Sequence, residues 1–315
     1  MRIVLPGGSG QVGQLLARAF VAQGHEVVVL SRGGQSPVGR TVAWDGQALG
    51  TWASALDGAD VVVNLAGRIV NCRYTPENLR QMRASRVDST RVVGEAIAAA
   101  AHPPPVWLQM STATLYAHRF DAPNDDETGL IGGGEPDAPA SWRNSVEIAR
   151  AWEQALADAD TPHTRKVAMR SAVVMSPDRG GIFDVMLGLV RRGLGGAAAG
   201  GGQYVSWIHD DDFVRAVKLL IERDVAGAVN LAAPNPIPQR DFNRALREAW
   251  GTRIGLPATR AMLSLGAWAM GTETELVLKS RRVISTRLAA LGFEFEHPEW
   301  PAAARELVAR WRAQA

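Results

Sequence analysis

Cysteine is almost absent from this chain of 315 residues, in which Cys72 is the only one. A single cysteine excludes an intramolecular disulfide and a zinc site built from several thiolates. The sequence also lacks the roughly 18 consecutive apolar residues of a membrane span and the pattern of a secretory leader. We therefore expect a soluble, cytoplasmic protein without a membrane partner.

Blocks of positive charge are missing too, because lysine occurs only at positions 166, 218 and 279 and the arginines are scattered. The formal net charge is only +2, so the sequence does not indicate a nucleic-acid partner. Apolar residues make up 46% and charged residues 21%, which is typical of a globular enzyme or binding protein.

Strand-like and helix-like patterns alternate through the first half of the chain. The predicted strands are residues 2–6, 25–32, 41–44, 59–67 and 106–112. Long helices are predicted at 11–23 and 76–101. Runs such as Val61 to Val63 do not alternate with polar residues, which favours strands buried on both faces. The fold class is therefore α/β, with a Rossmann-type doubly wound parallel sheet.

The second half has a looser pattern. A loop rich in Gly, Pro and Asp covers 117–140, and it precedes a predicted helix at 142–158 and a predicted strand at 164–176. We predict a nucleotide-binding domain over 1–176, to which strand and helix segments within 205–235 return. Residues 177–204 and 236–315 are predicted to form a smaller C-terminal, substrate-side lobe.

The stretch "GGSGQVG" lies between the first predicted strand and the first predicted helix. Its glycines fit the G-x-G-x-x-G spacing, and bare backbone there lets a pyrophosphate approach the N-terminus of a helix. A plain glycine turn is the alternative, but the strand and helix on either side favour a dinucleotide site. The predicted cofactor contacts here are Gly7, Gly8, Ser9, Gly10, Gln11, Val12 and Gly13.

The end of the second predicted strand indicates which dinucleotide binds. An NAD site usually places an acidic residue there, whereas this chain has Ser31 and Arg32. A guanidinium clamps a 2′-phosphate but cannot accept a hydrogen bond from a ribose hydroxyl. NADP(H) is therefore the predicted cofactor, although an ordinary exposed arginine would give the same sequence.

Four motifs together resemble the extended short-chain dehydrogenase/reductases: "GGSGQVG", "NLAG" at 64–67, "STATLY" at 111–116 and "SWIHDDDFVRA" at 206–216. More narrowly, "GADVVVNLAGRIV" and the ending "LPATRAMLSLGAWA" resemble an atypical, epimerase-like branch with a C-terminal domain of unknown function. The resemblance implies a C-terminal lobe that closes over a substrate cleft. It also implies further cofactor contacts at Asn64, Leu65, Ala66, Gly67 and Ser111.

The proton relay of the resembled superfamily is missing. That relay pairs a tyrosine with a lysine four residues later, beside a serine or threonine that follows the fifth strand. No Tyr-x-x-x-Lys occurs in this sequence. Aligning "STATLY" with the family pattern puts Thr112 at the hydroxyl position, and Ser145 and Ala149 where the tyrosine and lysine belong. A serine without a cationic neighbour is a poor acid or base at neutral pH.

The catalytic residues therefore stay unknown, and three substitutes are weighed beside Thr112. Tyr116 and His118 begin the long loop, and Glu153 lies on the following helix. Histidine has a pKa near neutrality, which suits acid–base work. The alternatives are a tyrosine that packs against the cofactor and a solvent-exposed, idle histidine.

The stretch "SWIHDDD" places a histidine beside three carboxylates. Ligands adjacent in sequence seldom converge on one metal ion, because successive strand residues face opposite ways. The structural alternative is favoured, in which Asp211 or Asp212 caps the helix that follows. No metal site is predicted.

Two functions stay open. The first is an NADP(H)-dependent oxidoreductase or epimerase-like enzyme with a nonstandard proton donor, a small-molecule substrate and a monomeric or homodimeric state. The second is a catalytically silent protein that binds or senses NADP(H). The retained C-terminal lobe favours the enzyme.

Overall fold

A parallel β-sheet is the centre of the computed structural model, which describes residues 1–136 and 138–314. Along the chain the strands are β1 (Arg2–Pro6), β2 (Glu26–Ser31), β3 (Arg40–Ala43), β4 (Val61–Asn64), β5 (Val106–Thr112), β6 (Arg165–Ser171), β7 (Val173–Met175), β8 (Tyr204–Val205), β9 (Trp207–His209), β10 (Gly227–Leu231) and β11 (Ile237–Pro238). Seven of these described strands form the sheet, in the order β3-β2-β1-β4-β5-β6-β10. The predicted doubly wound parallel sheet is confirmed.

Helices cover both faces of this sheet and build the C-terminal part of the chain. They are α1 (Gln11–Ala22), α2 (Pro76–Ala99), α3 (Ala140–Ala157), α4 (Ile182–Arg191), α5 (Asp210–Glu222), α6 (Gln239–Trp250), α7 (Arg260–Met270), α8 (Glu275–Leu278), α9 (Thr286–Ala290) and α10 (Trp300–Ala313). Among the described residues, no helix combines the length and the apolar character needed to cross a membrane.

Alternate residues of the central strands pack into two different core layers. Ile3 and Leu5 of β1 join the layer formed with α1 and α5, whereas Val4 joins the layer formed with α2. The same division separates Val61 and Val63 of β4 from Val62. Both faces of the sheet are therefore buried, which is the reason why residues 3–5 and 61–63 are apolar without alternation.

The single strand predicted at 164–176 is wrong in one respect, because the chain changes sheets at Ala172. β6 stays in the main sheet, while β7 pairs in parallel with β9 in a separate two-stranded sheet. The backbone N–H of Ala172 donates to the carbonyl oxygen of Leu231 at 2.9 Å, which holds the break in place.

A third core cluster joins α4, α6 and α10. Phe242 and Trp300 stack with ring centroids 3.8 Å apart, and Trp300 donates from its indole nitrogen to the carbonyl oxygen of Phe242. Met175 and Trp207 contribute to the same cluster from the β7–β9 pair. This cluster therefore takes residues from both predicted lobes. The division of the chain into two lobes stays a prediction.

The loop predicted at 117–140 is fastened by the C-terminal segment. The backbone N–H of Asn124 donates to the carbonyl oxygen of Arg282 at 2.7 Å, and that of Ile284 donates back to Asn124 at 3.0 Å. Asp137 lies outside the described residues. The C-terminal segment therefore reaches across the long loop to the carboxyl edge of the sheet.

Candidate nucleotide and substrate site

The glycines between β1 and α1 allow close packing of the chain on itself. Gly7 has a φ of +73°, and a Cβ there would lie 2.6 Å from Cα of Ala66. A Cβ on Gly13 would lie 2.4 Å from Cα of Gly8, at the start of the helix. These positions require glycine for steric reasons alone.

Gly10 is different, because a Cβ there would meet only the carbonyl oxygen of Gly7, at an ordinary 3.6 Å. Ser9, Gly10 and Gln11 are exposed, and the first turn of α1 receives no side-chain cap from Gly10. The free N–H groups of this turn and the helix dipole favour an anion at this place. The loop thus forms an open cradle whose shape and charge fit a diphosphate.

Ser31 and Arg32 lie next to this cradle, because the N–H of Gly7 donates to the carbonyl oxygen of Leu30 at 2.9 Å. The Ser31 hydroxyl donates to the carbonyl oxygen of Gly33 at 2.9 Å and so shapes the turn after β2. Arg32 is exposed directly after the strand. Its position leaves the guanidinium accessible to an anionic group at the carboxyl edge of the sheet.

The segment after β4 forms the other side of the cradle. Asn64 is fully buried, donates to the side-chain oxygen of Gln109 at 3.0 Å, and accepts from the backbone N–H of Ala66 at 3.1 Å. The N–H of Leu65 donates to the carbonyl oxygen of Pro6 at 2.8 Å. Asn64 thus shapes the turn that brings Leu65 to Gly67 against the glycine loop, where they stay predicted cofactor contacts.

Ser111, a predicted cofactor contact, has a protein partner in this structure. Its hydroxyl donates to Oε1 of Glu153 at 2.6 Å, and Glu153 forms a two-point ion pair with Arg170. Arg170 also donates to the hydroxyl of Tyr116 at 3.0 Å, and Tyr116 donates to Oδ1 of Asn230 at 2.8 Å. This buried network joins β5, β6, β10 and α3.

Two of the predicted catalytic candidates are therefore engaged within the protein. Tyr116 is 2% exposed with its hydroxyl already hydrogen-bonded, and burial raises its pKa. His118 packs between Phe120 and Trp142, and its Nδ1 accepts from the N–H of Ser280 at 2.6 Å. Burial, and then the nearby charge of Lys279, lower the pKa of His118.

A cavity of about 100 Å³ lies at the carboxyl end of β5. Thr112, Ser145 and Ala149, the three positions aligned with the family's catalytic pattern, all line it, whereas Tyr116 and His118 do not. The other lining residues come from the segment before α2, from α2 and α3, and from the C-terminal part of the chain: Val70, Tyr74, Met82, Arg86, Thr114, Ile148, Trp152, Glu275, Leu276 and Arg281.

A polar cluster occupies one part of the cavity wall. The Ser145 hydroxyl donates to Oε2 of Glu275 at 2.6 Å, and the hydroxyl of Tyr74 lies 3.3 Å from the same serine oxygen. Burial and the charge of Glu275 raise the pKa of Tyr74 to about 12. Tyr74 therefore stays protonated at neutral pH.

Two cations lie beside Glu275 and a third, Arg86, lines the cavity, but all three donate hydrogen bonds to the chain itself. Lys279 Nζ lies 3.9 Å from Glu275 Oε1 and donates to the carbonyl oxygen of Thr114 at 2.8 Å. Burial lowers the pKa of Lys279 to about 8. Arg281 lies 4.0 Å from Glu275 Oε1, and Arg86 lines the cavity with a pKa that burial lowers to about 10.

Two buried polar atoms of the lining residues lack a hydrogen-bond partner within the described part of the chain. One is the acceptor Oε1 of Glu275, a residue only 1% exposed, and the other is the donor Nε1 of Trp152. Unpaired buried polar atoms are costly, and a ligand that pairs with them is one explanation for their presence in a cavity wall.

Tyr74, Glu275 and Lys279 were not among the site residues predicted from the sequence. The available signal was the spacing of Glu275 and Lys279 in "TELVLK", four residues apart in an otherwise apolar turn. Their proximity to Thr112 depends on the tertiary fold, since Ser145 and Glu275 are separated by 130 positions in the chain.

The predicted cap of α5 by Asp211 or Asp212 is wrong. The helix begins earlier, at Asp210, and Nδ1 of His209 accepts from the N–H of Asp211 at 3.2 Å. Asp212 instead accepts from the N–H groups of Glu296 and His297, each at 2.9 Å. All three aspartates stay in the first turn, where the helix dipole favours them.

His209, Asp211 and His297 approach so closely that one potential metal-ligating atom from each lies within 4.8 Å of the others. The tertiary fold supplies His297, which the sequence pattern did not include. Nε2 of His209 lies 2.8 Å from a carboxylate oxygen of Glu306, and its Nδ1 serves as the helix cap. Both nitrogens of His209 are thus engaged within the protein.

A glycine cradle at the carboxyl edge of a doubly wound parallel sheet, with a cavity at the same edge, defines a Rossmann-type nucleotide-binding protein. The NAD dependent epimerase/dehydratase family model matches residues 3–232, and a domain of unknown function (DUF1731) matches residues 259–307. This chain belongs to the NAD dependent epimerase/dehydratase family. The resemblance inferred from the sequence is confirmed.

Individual relatives agree over nearly the whole chain. The human epimerase family protein SDR39U1 is 31% identical, covering 98% of this chain and 100% of its own length. Its crystal structure with NADPH superposes with a TM-score of 0.84 at 28% identity, covering 98% of this chain and 99% of that one. A UDP-N-acetylglucosamine 4-epimerase from Bacillus cereus, 15% identical, shares the fold with a TM-score of 0.76 over 99% of this chain and 96% of its own.

Proposed function

We propose that this chain binds NADP(H) and catalyses hydride transfer to or from a small molecule, as an oxidoreductase or an epimerase-like enzyme. The observation that carries the proposal is the open cradle at Gly10 together with the cavity beside Thr112, at one edge of one sheet. The bound nucleotide would supply the hydride donor or acceptor.

The chain's own residues would hold that nucleotide in three ways. The N–H groups after Gly10 would bind the diphosphate, and exposed Arg32 would bind the 2′-phosphate. Leu65, Ala66 and Gly67 would lie along the adenosine half. Support for NADP(H) over NAD(H) comes from the Ser31–Arg32 pair and from the NADPH in the human relative's crystal structure.

The cavity supports an enzyme because it contains a buried carboxylate, that of Glu275, whose Oε1 accepts no hydrogen bond within the described part of the chain. The second candidate is a silent NADP(H)-binding protein. The absence of Tyr-x-x-x-Lys favours it, since Ser145 and Ala149 cannot form the usual relay.

Calorimetry and turnover separate the two candidates. We expect NADPH to bind the purified protein, and a panel of carbonyl compounds and nucleotide sugars to change the absorbance of the nucleotide at 340 nm. Tight binding without turnover on the whole panel favours the silent protein. Absence of NADPH and NADP⁺ binding would overturn both.

A further inference from the structure

We propose that the cavity receives a secondary alcohol, or the corresponding ketone, that carries an apolar chain. Its oxygen would lie at Glu275, and its apolar chain would extend over the exposed helix α7. The inference rests on the proposed function, because it names the substrate class of the same site.

The polar end of the cavity suits a hydroxyl group. Oε2 of Glu275 already accepts from Ser145, whereas the buried Oε1 has no hydrogen-bond donor within the described part of the chain. A carboxylate only accepts hydrogen bonds, so the missing partner is a donor. The O–H of an alcohol provides that donor at the end of β5, where the family places its reactive hydroxyl.

The cations of the cavity do not form a phosphate clamp. Arg86 donates to the carbonyl oxygens of Met82 and Arg68, at 3.0 and 3.1 Å. Arg281 donates through Nε to the hydroxyl of Thr114 at 3.2 Å, and Lys279 donates to the carbonyl oxygen of the same residue. These contacts engage part of each cation's donors within the protein, and Lys279 does not line the cavity, so we infer an uncharged group rather than a sugar diphosphate.

The surface around the mouth of the cavity carries several exposed apolar side chains together with Arg73, whose guanidinium lies 5.5 Å from the ring centroid of Trp268. Val70 and Leu276 line the cavity, and Leu276 is also 40% exposed. Ile69 is 71% exposed beside Val70, and Trp268 of α7 is 65% exposed. Arg73, the neighbour of the lining residue Tyr74, donates to the carbonyl oxygen of Trp268, which places the end of α7 at this mouth.

Helix α7 is apolar but hardly packed. Only Ala267 of this helix is buried, and the exposed apolar side chains on it are those of Met262, Leu265, Trp268 and Met270. An apolar helix face needs a partner that covers it. The cavity of about 100 Å³ holds only roughly three or four heavy atoms. A longer substrate would therefore extend from the cavity onto this face and cover it.

The chemical step follows from these positions. In the oxidative direction, Oε1 of Glu275 accepts the hydroxyl proton as the O–H bond breaks. The hydride leaves the carbinol carbon for NADP⁺, and the carbon–oxygen bond becomes a carbonyl. The balance is one alcohol and NADP⁺ converted to one ketone, NADPH and a proton, so Glu275 is the proposed catalytic residue.

The substrate class is tested by measuring how alcohols bind to a nucleotide complex in which they cannot react. The series from 2-butanol to 2-decanol is titrated by calorimetry into the NADPH-loaded protein, in which an alcohol has no hydride acceptor. We expect Kd to fall roughly two- to four-fold for each added methylene group. A Kd independent of chain length, or no alcohol binding while NADPH binds, overturns this inference but not the proposed function. Absence of NADPH binding overturns the proposed function itself.

Three variants locate the two ends of the ligand. Trp268→Ser should weaken binding of 2-decanol while leaving that of 2-butanol unchanged. Leu49→Ser is the matched control, because Leu49 is a similarly exposed apolar residue, at 50%, that lies outside α7 in the loop after β3. Equal effects of both variants on 2-decanol would contradict a chain lying on α7.

The third variant, Glu275→Gln, tests the oxygen position, because an amide also donates hydrogen bonds. Two Kd values are measured for each protein: that of 2-octanol in the NADPH complex and that of 2-octanone in the NADP⁺ complex. We expect the unmodified protein to prefer the alcohol and the variant to lose this preference. The ratio of the two Kd values should shift by at least roughly tenfold, the loss of about one charge-assisted hydrogen bond. An unchanged ratio in a variant that still binds NADPH would refute the role of Glu275.

Discussion

Ser145 donates its hydroxyl proton to Oε2 of Glu275 at 2.6 Å, which joins helix α3 to the C-terminal segment at the cavity. Alignment with the family pattern predicts Ser145 at the position of the catalytic tyrosine, and we infer on that prediction that a serine–carboxylate pair replaces the usual relay. The acidic partner comes from residues 259–307, which match the domain of unknown function. This domain therefore completes the cavity with a titratable group.

Gly10→Val should abolish NADPH binding and leave the fold intact. A side chain at position 10 meets the rest of the chain only at 3.6 Å, so its main effect is to fill the cradle. Calorimetry with NADPH and thermal unfolding are the two measurements. Gly13→Val is the contrasting control, because its Cβ would lie 2.4 Å from Gly8 and should destabilise the protein. Retained NADPH binding by Gly10→Val would count against the cradle.

Arg32→Ala should weaken NADPH binding by about ten- to a hundred-fold, since it removes a charge-assisted contact to the 2′-phosphate. NADH lacks that phosphate and should bind equally well to both proteins. Arg40→Ala is the control. Arg40 is also exposed, but it lies at the amino end of β3, where it pairs with Val28 in the middle of β2 and not with the residues that follow that strand. If Arg32→Ala weakens NADPH and NADH equally, the phosphate role is refuted.

The doubly wound parallel sheet and the glycine loop could be predicted because their signals are local. The apolar run of β1, the glycine spacing and the amphipathic α1 lie within the first 22 residues. Buried strands without alternation then indicated a sheet covered on both faces. Thr112, Ser145 and Ala149 were predicted by alignment with the family, and the fold brings them to one cavity.

The polar cluster at Glu275 could not be predicted, because its partners are distant in sequence. A short helix with one glutamate and one lysine is more often a solvated surface than a buried site. The roles of Tyr116 and His209 likewise depend on Asn230 and Glu306, which only the tertiary fold brings near. Local patterns give no sign of such contacts.

Tyr116→Phe should destabilise the protein without changing NADPH affinity. The variant removes hydrogen bonds to Asn230 and Arg170 within the buried network, which costs about 1 to 3 kcal/mol of the free energy of unfolding. Urea unfolding and calorimetry measure the two quantities. Tyr204→Phe serves as the less buried control. Loss of turnover with unchanged stability would instead return Tyr116 to the catalytic candidates.

Lys279 should make the stability of the protein rise with pH above neutrality. Its pKa is about 8 in the folded protein, below the ordinary lysine value of 10.5 that the unfolded chain retains, because burial disfavours the charged ammonium group. Between these values the unfolded chain keeps a proton that the folded protein has lost. The free energy of unfolding therefore increases with pH in this window, and below about pH 8 the full cost of the buried charge is present.

Lys279→Met removes this titration and isolates its contribution. Relative to that variant, the unmodified protein should gain roughly 1 to 2 kcal/mol of unfolding free energy between about pH 7 and pH 9.5. Urea unfolding at several pH values measures the difference, and Lys218→Met on α5 controls for the loss of a lysine. Tyr74 does not obscure this window, because its pKa rises from 10.0 in the unfolded chain to about 12 in the folded protein, and both values lie above the window. A difference that stays constant or falls with pH would show that Lys279 is not held as a buried, destabilised cation beside Glu275.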